Sequence, residues 1–384
     1  MLRYLTAGES HGRALVATIE GLPAGLPVTV EEIGVELARR RLGYGRGPRM
    51  RFEQDELTLL GGVRHGRTLG SPVAILIGNT EWPKWEQEMS PAPGRTEKPL
   101  SQPRPGHADL AGMQKYGFTD ARDVLERASA RETAARVAAG TCAKVLLAQI
   151  GVGIVSHIIQ MGPVVAKSAI RPTPEDLATV DASEVRCFDP EAEAAMIDEI
   201  KAAAKLGDSI GGIAEVIAYG VPVGLGSHVT WDRKIDALLA QALMSIQAVK
   251  AVEIGAGFEV AGLRGSEAHD AISWDGTART YRRETNRAGG VEGGITTGEP
   301  VVARVAMKPL ATLNRPVLKT VDVQTKAETV SFKERTDVTA VPAMGVVAES
   351  MVALVLASEA LRKFGGDSVS EFVRNRDAYV DGLG

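Results

Sequence analysis

Apolar positions recur along this chain with two periods, and the changes of period outline its elements. Thr29 followed by Glu32 fits a helix capping box, Ile33 and Leu37 follow at helical spacing, and Gly43 supplies a stop. The run from Asp120 to Ile150 is rich in alanine and free of proline, which predicts one long helix. A second helix opens at Asp232, where Ile235, Leu238, Leu239, Ala242, Leu243 and Ile246 keep a 3-1-3-1-3 spacing. A third runs from about Pro342 to Phe364 before Gly365-Gly366, and residues 346 to 356 are apolar nearly all round, as in a helix covered on several sides.

Between these lie runs rich in β-branched residues and bounded by Gly or Pro: Ala14 to Ile19, Val73 to Ile77, Ile213 to Ala218 and Val301 to Met307. Strands and helices do not alternate as βαβ units, so the pattern predicts an α+β fold rather than a doubly wound parallel sheet. Residues 78 to 108 are rich in Pro, Trp and charge, with little periodicity, the character of a lid or connection. Residues 162 to 211 read as a helical excursion, with Asp189-Pro190 as a start and Gly207 as a stop. No internal repeat is visible.

With 384 residues, 44% of them hydrophobic, the chain can bury a large core, and disorder is not expected over most of it. Cys142 and Cys187 lack ligand-type spacing, which argues against a disulfide framework or structural metal site and fits a reducing compartment. The N-terminus has no apolar signal region, and charged residues or turn formers interrupt each apolar run, so a cytoplasmic protein without a membrane span is expected. A formal net charge of −4 weighs against nucleic-acid binding. Yet Arg39, Arg40, Arg41, Arg46, Arg49 and Arg51 crowd one short stretch, which points to an anionic small molecule.

Several constellations could carry chemistry. Gly8-Glu9-Ser10-His11-Gly12 sets an imidazole between glycines, which permit close backbone approach; His11 reads as a proton donor, an orienting group, a metal ligand or a plain turn histidine. His107, in Arg104-Pro105-Gly106-His107-Ala108-Asp109, has the same open reading, whereas His65, His157, His228 and His269 lack such settings. The triplet Arg39 to Arg41 suits a solvated helix end, but Arg46, Arg49 and Arg51 lie among Gly45, Gly47 and Pro48, where guanidinium forks can converge on phosphate or carboxylate. Arg127 and Arg131, four apart on the expected long helix, would share a face. Gly289 to Gly294 reads as a glycine turn, Lys308 to Thr312 offers a cation and a hydroxyl, and Arg335-Thr336-Asp337 reads as a surface ion pair or a proton acceptor.

Taken together, GESHG at 8–12, RPGHAD at 104–109, ERASARETAARVAAGT at 126–141 and RTDVTAVPAMGVVAES at 335–350 resemble the motifs of the chorismate synthases, in the family's order and over nearly the whole chain. Glu9 and Thr336 stand where the family often has Asp and Ser or His. The resemblance implies one domain over 1–384, with central long helices sandwiched between antiparallel sheets, and a homotetramer. It implies an anti-1,4-elimination of phosphate from 5-enolpyruvylshikimate 3-phosphate (EPSP) to give chorismate, in the pathway to aromatic amino acids. It also implies a requirement for reduced FMN without net redox change, since the departing hydrogen is not acidified by a carbonyl and an electron-rich cofactor would assist.

By the same resemblance, His11 acts near the flavin, His107 donates toward the departing phosphate, and Asp337 relays a proton. Ser10, Arg40, Arg46, Arg49, Arg104 and Arg131 would hold the substrate. FMN would contact Arg127, Ala128, Ser129, Gln247, Ala248, Gly293, Lys308, Pro309, Leu310, Ala311, Thr312 and Arg335. Arg40 and Arg46 also match positions linked to NADP, and NADP and FAD are associated nucleotides. NADPH is thus a candidate reductant, although the absence of an added hydride-delivery domain favours an external source of reduced flavin. The competing readings are an NAD(P)H-dependent flavin reductase and an anion- or RNA-binding protein using residues 39 to 51. The low aromatic content, 4%, disfavours RNA recognition by stacking.

Overall fold

Two strands flank the GESHG loop, β1 (Arg3–Ala7) and β2 (Ala14–Glu20), and with β3 (Glu56–Gly61) and β4 (Val73–Gly78) they make an antiparallel sheet in the order β1-β2-β4-β3. The computed structural model describes every residue except 1, 48–54, 95, 97–98, 168–170, 278, 316, 333–335 and 384. Alternate side chains on β2 and β4, Leu15, Ala17 and Ile19 with Val73, Ile75 and Ile77, point into the core, as the period of two requires. A second antiparallel sheet combines β5 (Gly153–Met161), β6 (Val164–Val165), β7 (Gly212–Tyr219), β8 (Val249–Ile254) and β9 (Val301–Met307) in the order β8-β9-β7-β5-β6.

The longer helices are α1 (Val30–Arg41), α2 (Asp109–Tyr116), α3 (Arg122–Ala128), α4 (Thr133–Ala148), α5 (Pro190–Leu206), α6 (Ile235–Met244), α7 (Val341–Phe364) and α8 (Val369–Asp381). Antiparallel sheets with helices gathered between β-rich segments make this an α+β fold. Helix α4 packs on β2 and β4 and on α7, while α7 also meets α1, α6, β5 and β7. Twenty of the 24 residues of α7 are buried, which explains why its sequence shows no polar face.

Local signals explain several boundaries. Thr29 Oγ1 accepts the Glu32 N–H at 3.1 Å while Glu32 Oε2 accepts the Thr29 N–H at 3.0 Å, closing the expected capping box. Asp189 caps α5 by accepting from the N–H groups of Glu191 and Ala192, and Gly207 ends it at φ 69°.

Four expectations need correction. The run from 120 to 150 is not one helix: Ser129 is extended (φ −65°, ψ 143°) and accepts the Arg131 N–H, and a short 3-10 turn, Ala130–Glu132, leads into α4. A serine that satisfies a nearby backbone donor competes with the helix for it. Arg127 and Arg131 therefore do not share a face. The second helix stops at Met244, so Gln247 and Ala248 lie in the turn to β8, where Ala248 has φ 66°.

Arg39 and Arg40 do not form a solvated helix end. Both are buried, Arg39 among Glu36, Asp181 and Glu349, and only Arg41 is half-exposed, paired with Asp55 at 3.0 Å. Finally, α7 is long and apolar enough to cross a membrane, with a mean hydropathy of 1.8, but 89% of that window is buried inside the protein. Its Glu349 does not interrupt the apolar run in practice, because buried cations surround it.

Candidate active site

The GESHG loop joins β1 to β2 and is held from two sides. Asn79 Nδ2 donates to the carbonyls of Glu9 (3.1 Å) and Gly12 (2.7 Å), and the Ser10 N–H donates to the Glu126 carbonyl at 3.0 Å. Gly8 has φ 102°, and a Cβ there would stand 2.3 Å from the Ala14 carbonyl oxygen. Gly12 adopts no such conformation, so only the first glycine of the motif is required by the backbone. Gly8→Ala is expected to lower stability by about 1–3 kcal/mol and to displace His11. Urea unfolding measures it, and a wild-type midpoint would show that the loop absorbs the strain elsewhere.

His11 lies against two partners that motif spacing did not reveal. Its Nδ1 is 2.9 Å from Glu126 Oε1, and its ring lies 4.2 Å from that of Trp85, over which the Arg122 guanidinium also stacks at 4.7 Å. Burial opposes ionisation of Glu126, but hydrogen bonds from His11 and Ser10 overcome it and hold the carboxyl at about 2. The unpatterned stretch from 78 to 108 thus covers the histidine with the one-turn helix Trp82–Trp85.

The RPGHAD loop builds a second pair of this kind. Asp109 is fully buried at the start of α2 and accepts from Arg104 Nε at 2.9 Å, the Arg104 N–H at 3.1 Å and His107 Nδ1. Burial works against its ionisation, and the bonds from His107 and Arg104 reverse the effect, leaving it well below the usual carboxylate range. Arg104 also donates to Thr312 Oγ1 at 3.0 Å and stacks on Phe332.

The remaining arginines are individually anchored. Arg131 donates to Asp55 (2.5 Å), Asn79 Oδ1 (2.9 Å) and the Gly78 carbonyl (3.2 Å). Arg40 donates to Thr133 Oγ1 and the Ala130 carbonyl, both at 2.9 Å. Asp337 is met by Arg46 at 3.2 Å and by the Gly47 N–H at 2.6 Å, which makes it a held carboxylate inside the site and not a surface ion pair. Such anchoring fixes the planar guanidinium forks before a ligand arrives.

These groups converge on one cavity of about 1030 Å3. Its wall includes Ser10, His11, Arg40, Arg46, Arg104, His107, Arg131 and Asp337, with Ala128, Ser129, Gln247, Ala248, Lys308, Leu310, Ala311 and Thr312. Ala340, Ala343, Met344 and Val347, at the start of α7, give it an apolar side. Three expected residues are not on this wall. Arg127 donates to the carbonyls of Gly8 and Thr6, Pro309 is the one residue of 308–312 that does not line the cavity, and Gly293 forms the turn of a hairpin beside the first turn of α6. Arg49 and Arg335 lie outside the described residues.

Glu126, Asp109, Asp55 and Glu132 are the site-supporting residues that motif reading missed. Glu132 accepts from Thr6 Oγ1 (2.7 Å), Arg136 Nε (2.8 Å) and Gln247 Nε2 (3.0 Å). Acidic residues beside arginines in an alanine-rich helix read as ordinary surface pairs, and nothing local marks these as buried. The arrangement can bind a ligand with several negative charges and exchange protons with it at two imidazoles.

Comparison with known proteins agrees. Residues 2–361 match the family model described as chorismate synthase. The chorismate synthase of Salinispora tropica is 62% identical over 100% of this chain and 99% of its own length, and that of Thermobifida fusca is 61% identical with the same coverage. A crystal structure of chorismate synthase aligns with a TM-score of 0.80 at 41% identity, covering 100% of this chain and 98% of its own. The family's reaction, a lyase step of the shikimate pathway that forms chorismate, is the one this chain carries out. On these matches and on the geometry of the cavity, the chain belongs to the chorismate synthase family.

Proposed function

We propose that the cavity binds EPSP and reduced FMN together and eliminates phosphate from the substrate to give chorismate. The observation that carries this reading is the pairing of two histidines, each with Nδ1 on a buried carboxylate, across a cavity walled by four arginines. EPSP brings one phosphate and two carboxylates, and Arg40, Arg46, Arg104 and Arg131 supply matching cations on the cavity wall. A volume near 1030 Å3 lies at the upper end of the roughly 300–1,000 Å3 usual for single-ligand pockets, as room for two ligands requires.

The residues present fit a flavin. Gln247 donates its amide to Glu132, and its buried Oε1 has no hydrogen-bond partner among the described residues, an acceptor that suits an imide N–H. Ala128, Ser129, Gln247, Ala248, Lys308, Leu310, Ala311 and Thr312, all on the cavity wall, would hold FMN, with Arg335 as a further contact. When bound, reduced FMN supplies the electron density that allows the C–O bond to phosphate to break without an acidifying carbonyl. His107 donates a proton to the departing phosphate oxygen, His11 keeps a proton within reach of the cavity, and Asp337, held by Arg46 and the Gly47 N–H, is the proton acceptor.

The finer architecture follows the same reading: residues 1–384 form one domain, with α1, α4, α6 and α7 as the layer between the two larger sheets. Large apolar side chains left exposed between residues 229 and 281, such as Trp231 at 83% and Phe258 at 78%, support burial in a homotetramer. A cytoplasmic location fits this biosynthetic role.

Anaerobic incubation with photoreduced FMN and EPSP tests the proposal: chorismate and phosphate are expected in equal amounts, and none with oxidised FMN. Reduced flavin arrives from outside in this reading, so the purified protein with FMN is expected not to oxidise NADPH, although Arg40 and Arg46 both line the cavity. Steady loss of NADPH absorbance under anaerobic conditions would overturn that.

A further inference from the structure

We propose that Glu126 is a positioning residue that fixes His11 in the tautomer with its proton on Nδ1, so that His11 exchanges protons with the cavity through Nε2 alone. The inference rests on the proposed elimination for its catalytic consequence but not for its structural content.

The argument is an inventory of donors. An ionised carboxylate accepts hydrogen bonds and donates none, with about four lone-pair positions to fill. Glu126 has four donors on it. Oε2 receives the Ser10 hydroxyl at 2.7 Å and the His11 N–H at 2.8 Å; Oε1 receives Arg122 Nη1 at 2.9 Å and meets His11 Nδ1 at 2.9 Å. Three of those are donors under any protonation of the histidine, so a proton on Glu126 itself would have to displace one of them. The contact with Nδ1 is therefore satisfied only when the nitrogen carries the hydrogen.

Ser10 closes the other route. Its Oγ lies 3.2 Å from His11 Nδ1 and could in principle donate to a bare ring nitrogen. A hydroxyl has one hydrogen, however, and the shorter 2.7 Å bond to the charged Oε2 takes it. Toward the ring, Ser10 can then only accept. Both neighbours of Nδ1 are acceptors, and the hydrogen bond at one ring nitrogen dictates the state of the other.

Packing adds direction. Trp85 lies against the imidazole face and Arg122 bridges Trp85 to Glu126, so the ring is held in its plane as well as in its tautomer. This narrows the three chemical readings of His11. A metal ligand through Nδ1 is incompatible with a carboxylate and an arginine packed on that side, and a turn histidine needs no such shell.

The test uses the full chain labelled with 15N only at histidine Nδ1 and observed by solid-state NMR at pH 8, the His11 resonance among six histidines being identified by its loss in His11→Asn. In the wild type the resonance is expected in the protonated range. In Glu126→Gln, whose amide can donate as well as accept, it is expected to move toward the unprotonated range, with kcat for chorismate reduced about 10²-fold and KM for EPSP changed less than about 3-fold. An unprotonated Nδ1 in the wild type overturns the proposal even if the variant fails to fold, and so does an unchanged resonance or unchanged kcat in a folded variant. Should the wild type form no chorismate while Nδ1 responds to Glu126→Gln, the proposed reaction falls and the positioning role stands.

Discussion

His107→Ala is expected to lower kcat for chorismate formation by about 10²- to 10⁴-fold, the range for loss of a general acid, without unfolding the protein. Phosphate leaving as a trianion needs a proton or a strong donor at the breaking bond, and in the proposed reaction His107 supplies it. The fold is spared because Asp109 keeps its three Arg104 bonds when the imidazole is removed. His11→Ala is expected to lose activity to a similar degree for a different reason, since it empties the place between Glu126 and Trp85. Anaerobic single-turnover kinetics with saturating reduced FMN separate chemistry from binding. Wild-type kcat in His107→Ala would remove the histidine from the reaction.

The largest effect on stability is expected from Glu349→Gln, about 3–5 kcal/mol. Glu349 is fully buried in α7 and accepts from Arg39 (2.8 and 3.0 Å), Lys144 (2.6 Å), Arg186 (3.0 Å) and Ser156 (3.0 Å from N–H, 2.6 Å from Oγ). With Glu36 and Asp181 the cluster balances three cations against three carboxylates, and the substitution leaves one buried cation unmatched. Burial raises the cost of the Glu349 charge, yet Arg39, Lys144 and Arg186 together hold the carboxyl far below its usual range. Its contribution is therefore complete above the unfolded value of about 4.3 and is lost as pH falls below that toward the folded value. Between wild type and variant, the gap in unfolding free energy measured from pH 7 to pH 3 is expected to start narrowing below about pH 4. A constant gap across that range would show that packing, not charge, sets the difference.

Some of this molecule is readable from its residues and some is not, for identifiable reasons. Capping chemistry is local: Thr29 with Glu32, and Asp189 with Pro190, act within one turn, and both helices begin where those residues stand. The all-round apolar run of α7 likewise announces its burial. The break at Ser129 is invisible because alanine, arginine and glutamate around it all favour a helix; the deciding contacts come from Ser10, Asn79 and Asp55, far away in sequence. Ala248 in a left-handed turn carries no compositional signal at all. Among candidate site residues, the histidines and arginines stand out because glycines and prolines surround them, while Glu126 does not, since its partner lies 115 residues earlier in the chain. Side chains that touch a ligand tend to sit in unusual local sequence, and those that support them need not.

The position of α7 in the chain has a consequence for assembly. Helices α1 and α4, strands β5 and β7 and helix α6, which together enclose it, all precede it. During synthesis, these parts emerge without the segment that separates and joins them, and residues 341–364 then arrive as an uncovered apolar rod whose first three turns carry one charge, Glu349. Closure of the molecule must wait for that rod to slot between surfaces already made, a late and long-range event in which Arg39, Lys144 and Arg186 act as the latch. A nascent chain stalled before residue 341 is thus the form of this protein most exposed to chaperones and to clumping.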